Sequence, residues 1–464
     1  MLLRRRCNAL DVLTYFLVSA CAVIFLLICT IVYGTRAESP QLPSLVKEFL
    51  PAGRCQCEYS TTFTCDTCLD CAAGQSPLGL TSNATTITTG PVKGNEEKEW
   101  SWEYKSDAQH YGLEDGQCQA AFPGLFEDVE RARKHRRGKK VAERELSGFP
   151  LSKGMVRAMI FGGELYILQT HLVDNTNREK AIATLHSMHR ALVASPSSPP
   201  NIEFILSVED LPAQPNSPLW VLARRAQDHN LWLIPDFGFW SWDVPQIGTY
   251  SEVAAEAVER ESWESWNDKQ EKLVWRGKVT MAPKLRHALL DAARGKSWSD
   301  VGQVRWGTKD FKEAFLGPVD QCGWRFIAHA EGRSYSGALK YRQLCRSVVI
   351  AHKLQWIQHH HYLMSSSGPN QNFVEVERDF SNLDEVMQDL LKHPEKAKRI
   401  ADNSVKVFRE RYLTPAAEAC YWRALWKGWR GVQGWEPNLY EEVGEVGRGK
   451  GRRVKRGVRF ETFM

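Results

Sequence analysis

The sequence predicts an α/β protein of two lobes, carried behind an uncharged N-terminal segment and a Cys- and Thr-rich stem, on three observations. Between Asp320 and Glu377 a turn-rich run, Glu331-Gly-Arg-Ser-Tyr-Ser-Gly337, opens onto a helical pattern, Ala338-Leu-Lys-Tyr-Arg-Gln-Leu-Cys345, and then onto a short apolar strand, Ser347-Val-Val-Ile-Ala351. Loop, helix and strand in that order form the local unit of an α/β nucleotide site. Helical and strand patterns alternate over about 335 residues from Trp100 to Trp435, more than one hydrophobic core usually holds. The 22 residues from Val12 to Tyr33 carry no charge.

At ~1.5 Å per residue, a helix of that length crosses a hydrocarbon layer ~30 Å thick. Arg4, Arg5 and Arg6 lie just before it. The positive-inside rule therefore makes residues 1–11 a cytosolic tail and 12–33 a signal anchor, with all that follows on the far side, a single-pass type II arrangement. The alternative is a cleavable signal peptide, whose apolar core would be shorter, ~7–15 residues. The formal charge of +5 sits at the ends: three Arg against Asp11 give +2 over residues 1–11, and seven Lys/Arg against four Glu give +3 over residues 441–464. A neutral body argues against nucleic acid as the main partner, because that binding neutralises phosphates with a basic face. The Gly-rich basic run from Arg448 to Arg459 lacks apolar periodicity, so residues 441–464 read as a disordered tail.

Residues 34–99 are rich in Pro, Ser, Thr, Gly and Cys without long apolar runs, and read as a lumenal stem. Nine of the 12 cysteines follow the apolar segment, an odd number, so at least one thiol stays free or pairs between chains. Five of them cluster as Cys55-x-Cys57 and Cys65-x-x-Cys68-x-x-Cys71. In the cytosol this spacing would suggest zinc; in an oxidising compartment it favours a small disulfide knot. Asn83-Ala-Thr85 is a glycosylation sequon in a Thr-rich surface stretch. Secretory-pathway placement, in the endoplasmic reticulum or Golgi membrane, accommodates all of these.

The first lobe is read as residues 100–265. Leu125 to Arg137 has a helical pattern, Val156–Phe161 and Glu164–Leu168 form a hairpin through Gly162-Gly163, and Arg178 to Val193 is a second helix. The strand Ile202–Val208 delivers Glu209 and Asp210 to its C-terminal end, where α/β proteins place chemistry. The second lobe, 266–440, has strands at Leu273–Trp275, Trp324–Ala328 and Phe373–Val376 and a helix from Ala282 to Ala293. Ser381, with Asp384 in the capping-box position, starts a helix pair that runs through Phe408.

Small residues ahead of a helix leave its first N–H groups free, and with nearby cations they suit a phosphate-bearing ligand. Arg333, Ser334, Tyr335, Ser336, Gly337 and Lys340 are the candidates in that loop; capping alone would account for the Gly and Ser equally well. Arg276 is a second cation, and Gly277 after it signals close backbone approach, with Arg286 a weaker candidate. A carboxylate at a strand end can act as a base, which points to Asp210, with Glu209 as the fallback. Pro235-Asp-Phe-Gly-Phe-Trp240 has aromatic faces that suit sugars or bases, although Phe239 reads as core.

Taken in order, Asp210, Pro235 to Trp240, Arg276-Gly277 and the Glu331 to Lys340 loop resemble the Rumi-type protein O-glucosyltransferases and, more closely, the fungal capsule-associated glycosyltransferases of the same family. The resemblance spans roughly Phe122 to Trp426. It implies a GT-B fold of two Rossmann-like lobes and inverting transfer from a UDP-sugar to a hydroxyl without a bound metal or other cofactor. It further implies Asp210 as catalytic base, Arg276 and Gly277 at the diphosphate, and the nucleotide donor held by Arg333, Ser334, Tyr335, Ser336, Gly337 and Lys340. Pro235, Asp236, Phe237 and Trp240 would lie at the donor sugar. Xylose or glucose is the implied sugar, and a glycan or glycoprotein the acceptor. One departure stands out: Ala338 occupies the place of an arginine expected at the phosphates, and Arg333, Lys340 or Arg342 are the residues able to compensate. A second reading follows from it, a membrane-tethered binding module that keeps the fold without turnover.

Other features read as structural. His359-His360-His361 are consecutive and cannot easily converge on one metal, so they form a polar turn. Trp263, Trp266, Trp422 and Trp426 have helical spacing and pack. Spacing does not decide whether Cys322, Cys345 and Cys420 are buried thiols or include a disulfide.

Overall fold

The structure is a computed structural model that describes residues 19, 21–25, 100–212, 214–242, 247–305, 314–443 and 452–463. Most of the expected signal anchor at 12–33, and the whole stem with its cysteine cluster and sequon, lie outside the described residues; residues 21–25 are helical and exposed. Among the described residues no helix is long and apolar enough to cross a membrane. Lys98 to Met464 form one compact unit, built on two sheets.

The first sheet begins with a hairpin, β1 (Met155–Phe161) and β2 (Glu164–His171). Gly162 and Gly163 turn it with φ of 59° and 84°, a conformation that other residues adopt only with strain. Strands β3 (Ile202–Ser207), β4 (Trp220–Val221) and β5 (Trp232–Leu233) follow, β3 antiparallel to β1 and the last two parallel to β3. Every residue of β3 is buried, which fits its central place. The second sheet is parallel throughout. It comprises β6 (Gln270–Gly277), β7 (Ser299–Gln303), β8 (Trp324–His329), β9 (Val348–His352) and β10 (Val374–Val376), in the spatial order β10-β9-β8-β6-β7.

Helices cover both sheets. α1 (Glu127–His135) and α2 (Asn175–Val193) pack in the first lobe, and Asp174 caps α2 by accepting from Asn177 N at 2.8 Å. α3 (Tyr250–Trp263) starts at a reciprocal Thr249–Glu252 capping box, and α4 (Pro283–Ala293) starts with proline at its first position. α5 (Leu383–Lys392) and α6 (Pro394–Val407) pack on the second sheet. The last long helix, α7 (Pro415–Val432), returns to the first core, where Trp422, Trp426 and Trp429 are fully buried. At about 25 cal/mol per Å² and roughly 200 Å² per ring, each contributes on the order of 5 kcal/mol before ordering costs. Conversely, Tyr250, Val253 and Ala257 of α3 pack with Val274, Ile327 and Tyr341 of the second lobe. Each lobe therefore borrows a helix from the other's stretch of sequence.

Several sequence expectations change here. The tail read as disordered is ordered from 452 to 463: Arg452–Lys455 pairs with Tyr440–Val443, β11 (Val458–Arg459) joins β2 at the edge of the first sheet, and Phe460 is buried. Arg456 reaches the buried carboxylate of Glu203 at 3.1 Å, an anchor that composition conceals. The eight-residue helix expected at Ala338–Cys345 is a single turn, Leu339–Arg342. Ser381 does not cap α5, whose N-cap is Asn382, and Asp384 instead accepts from Lys296 and Trp298 at 2.7 and 2.8 Å. Trp263 is 66% exposed, unlike Trp266.

The cysteine question resolves as two disulfides, Cys118–Cys420 and Cys322–Cys345, across 302 and 23 residues. Cys118, which the sequence did not single out, closes the first core. Loop closure of this kind contributes about 3–5 kcal/mol each in a chain-entropy picture.

Candidate active site

In the second sheet the chain runs from β6 to β7 on one side, then crosses to β8 on the other, so the strand order reverses between β6 and β8. In an open parallel sheet that crevice, at the strand C-termini, is where ligands bind. The residues there are Gly277, which ends β6, with Lys278 after it, and Ala330 to Gly337 after β8, two of the stretches singled out from sequence.

The loop after β8 is rigidly anchored. The Glu331 carboxylate is 2% exposed and accepts from Gln355 N (2.9 Å), Trp356 N (2.8 Å) and Arg378 Nη1 (2.9 Å), while its own N–H donates to His352 Nε2 at 3.1 Å. Arg286 is buried and donates to the carbonyls of Glu331 (2.9 Å) and Lys278 (2.6 Å). It ties the two strand ends together rather than facing a ligand, and burial pulls its guanidinium down to about 10. Upon this frame Arg333 is exposed and makes no ion pair among the described residues. Ser334 is fully buried, with a hydroxyl that has no partner among them. Ser336 and Gly337 are half-buried, the latter beside the ring of Trp242.

The opposite wall comes from the first lobe. β3 ends into Glu209 and Asp210. Asp210 is 41% exposed and its Oδ1 accepts from Lys180 Nζ of α2 at 3.1 Å. Lys180 also lies 5.0 Å from the ring centre of Phe237. Glu209 is more tightly held, accepting from Asn177 Nδ2 at 2.9 Å with Lys153 at 3.8 Å. Gly154 makes room for it: a Cβ there would come 2.8 Å from Glu209 Cγ. The two segments lie within electrostatic reach of each other. Arg333 acts electrostatically on Lys153, and burial together with the charges of Asp236 and Asp210 pushes the Tyr335 hydroxyl far above its usual range.

Several predicted residues sit here in other relationships. Lys340 is 1% exposed and its three protons go to Asp236 Oδ1 (2.8 Å), Asp236 Oδ2 (3.0 Å) and the Gly337 carbonyl (2.8 Å). Asp236, itself buried at the end of β5, also accepts from Gly238 N and Gln358 Nε2. This pair closes the seam between lobes, and Lys340 has no proton left for a phosphate. Arg342 is likewise buried, against His329 at 2.8 Å, and burial brings it down to about 9. Of the three cations able to compensate for Ala338, only Arg333 reaches solvent.

Arg276 bonds Asp300 Oδ1 on neighbouring β7 at 2.6 Å and is 18% exposed. Gly277 does permit close approach, but of Trp275: a Cβ would fall 2.5 Å from its ring. Pro235 and Phe237 are buried, and Trp240 has His186 stacked at 5.3 Å with the Arg190 guanidinium 4.4 Å from its centroid. His359 and His360 do lie in a turn, as expected, but a buried one, and burial holds His359 at about 3 and His360 well below the usual range. Lys153, Lys180 and Gln358 escaped the sequence reading, since each carries no local pattern and acquires meaning only through long-range folding.

A parallel sheet with a strand-order reversal, and an exposed acid beyond a buried strand of the other sheet, form the kind of α/β arrangement in which ligand sites are placed. Comparison with known proteins makes this particular: the sequence pattern of glycosyl transferase family 90 matches residues 114–459, and the chain belongs to that family. By family it is a glycosyltransferase. It is also similar to human protein O-glucosyltransferase 1, 21% identical over 248 residues that cover 49% of this chain and 61% of the human protein. The bovine protein of the same name is 22% identical over 248 residues, with the same coverage. The chain thus spans about three fifths of the length of these curated relatives.

Proposed function

We propose that the chain is an inverting glycosyltransferase of GT-B architecture that moves glucose or xylose from a UDP-sugar to a hydroxyl of a glycoprotein or glycan in the secretory pathway. What supports this reading is the exposed carboxylate of Asp210 within electrostatic reach of Tyr335 in the anchored loop at the reversal point of the second sheet. Asp210 would take the acceptor's proton as its oxygen bonds the anomeric carbon, while the carbon–phosphate oxygen bond breaks and UDP departs with the electron pair. Arg333, with the backbone and hydroxyls of Ser334 and Ser336, would receive the charge growing on the diphosphate; Arg276 contributes from its pairing with Asp300. These are the chain's own groups, and the scheme uses no metal. Lys180 keeps Asp210 oriented. The disulfides Cys118–Cys420 and Cys322–Cys345 support an oxidising compartment, and the apolar run at 12–33 supports a type II anchor there.

The test is a panel of radiolabelled UDP-sugars presented to the full-length chain, with and without glycoprotein acceptors. Turnover of UDP-glucose or UDP-xylose that Asp210→Asn abolishes supports the assignment. The second reading, a binding module without turnover, is favoured by Ala338; UDP-sugar binding with no hydrolysis or transfer across the panel would establish it instead.

A further inference from the structure

Away from the cleft, residues 131–140 read Arg-Ala-Arg-Lys-His-Arg-Arg-Gly-Lys-Lys, with seven cations in ten positions. They form the end of α1 and the loop after it. With Gly431 and Val432 of α7 they enclose a groove of about 590 Å³ whose charged lining is Arg133, Lys134, Arg136, Arg137 and Lys140, with no acid among the lining residues. The nearest carboxylates answer only part of this charge. Glu130 pairs with Arg133 at 2.8 Å and with Lys134 at 3.7 Å, and Glu145 lies 3.5 Å from Arg136. Arg137, Lys139 and Lys140 make no ion pair among the described residues and are exposed.

Arg136 supplies a second, independent observation. Its side chain is 5% exposed, and its buried Nε has no acceptor among the described residues. Glu145, at 3.5 Å from one terminal nitrogen, is the carboxylate paired with it among the described residues, so this guanidinium in the wall of the groove is only partly neutralised. Over Gly138 and Gly431 a Cβ would meet nothing within 4 Å, so both glycines leave open space rather than closing on a neighbour.

The groove is remote from the cleft. Arg131 donates to the carbonyls of His229 and Leu231, ahead of β5, while Asp128, one turn earlier, accepts from Leu233 N at its end. α1 therefore runs away from the strand C-termini, and its basic end lies at the opposite edge of the sheet from Asp210.

We propose that this groove binds a linear polyanion of the class of carboxylate- or sulfate-bearing glycans. Several cations along one concave track fit a chain of repeated charges. A lipid surface is disfavoured because no exposed large hydrophobic side chain lies within 131–140 to enter it. Single-stranded nucleic acid is disfavoured because the groove has no aromatic lining on which bases could stack.

The probe is a fluorescein-labelled heparin oligosaccharide titrated with the full-length chain, read by anisotropy over a range of salt. Binding should weaken steeply with salt, and Arg137→Ala/Lys140→Ala should weaken it about tenfold and flatten the salt dependence by roughly one unit per cation removed. Arg136→Gln should weaken it further, with its melting temperature recorded alongside; Arg453→Ala/Lys455→Ala in the C-terminal hairpin should leave it unchanged. Neutral dextran, phosphatidylserine-containing vesicles and oligo-dT should bind poorly. Absence of heparin binding, insensitivity to the groove variants, or equally tight variant-sensitive binding of vesicles or oligo-dT overturns the proposal. UDP-sugar turnover is measured on the same variants and should not move, which separates this site from the cleft.

Discussion

Asp210 and Asp236 occupy equivalent places, each just beyond the C-terminal end of a parallel strand in the first sheet, and the fold has given them opposite surroundings. Asp236 is sealed: its side chain is inaccessible, both oxygens meet Lys340, and Gln358 and Gly238 N complete its shell. Asp210 is 41% exposed with one partner, Lys180. A carboxylate with every lone pair engaged by fixed donors can hold two lobes in register but has no way to accept a substrate proton. One with a single partner and open solvent can. The comparison teaches that partner count and exposure, rather than residue type or strand position, separate an acid locked into the fold from one left open to a proton.

The sharpest way to break this comparison is Asp210→Asn. Transfer should fall about 10²- to 10⁴-fold, the range for loss of a general base, while urea stability changes by less than about 1 kcal/mol because the exposed pair with Lys180 is screened. Activity within twofold of the parent would remove Asp210 from the chemistry and return attention to Glu209.

The converse is expected of Lys340→Met. Leaving Asp236 buried without its cation should cost about 3–5 kcal/mol in urea unfolding, and Asp236→Asn/Lys340→Met should recover much of that loss because no bare charge remains. A single-variant cost below about 1 kcal/mol would show that the seam does not depend on the pair.

These contrasts also explain what was legible in the sequence. The loop-to-strand unit after Trp324, the hairpin at Gly162-Gly163 and the delivery of Asp210 by a buried strand follow from local pattern, and all are present. The roles within the unit were not legible. Lys340 reads as a phosphate cation until its partner, 104 residues away, is known. Gly277 reads as ligand clearance until the Trp275 ring is placed over it. The ordered tail depends on Glu203, buried in β3 and reached by Arg456 from 253 residues on. In each case a charged or small residue has a contact that no local period encodes.

Gly277→Ala tests one such reassignment and carries a smaller effect. If the glycine serves Trp275, the added methyl should cost about 1–3 kcal/mol through overpacking, and Trp275→Leu in the same chain should relieve most of the increment. If the glycine instead serves a diphosphate, the loss should appear in UDP affinity with stability intact, and Trp275→Leu would give no relief.

The smallest expected effect concerns the seam's histidines. His360 is fully buried among Phe239, His359 and Phe408, and neither ring nitrogen has a partner among the described residues. Burial, with nearby positive charge adding to it, drives its pKa well below 6.5, so the folded ring stays neutral where the unfolded ring takes a proton. Its contribution to stability is thus complete above about pH 6.5 and is lost as pH falls towards the folded value, with a slope of up to about 1.4 kcal/mol per pH unit. His359, held at about 3, acts in the same direction. Glu418, which burial raises to about 7, opposes them, because its protonated form contributes stability at low pH that disappears as pH rises through about 7. His360→Phe should therefore leave stability near pH 7.5 within about 1 kcal/mol of the parent and flatten the decline below pH 6.5 by up to about 1.4 kcal/mol per unit. An unchanged slope, measured by urea unfolding at each pH, would mean that the ring is already solvated in the folded chain and that the seam is looser than the sealed Asp236–Lys340 pair beside it implies.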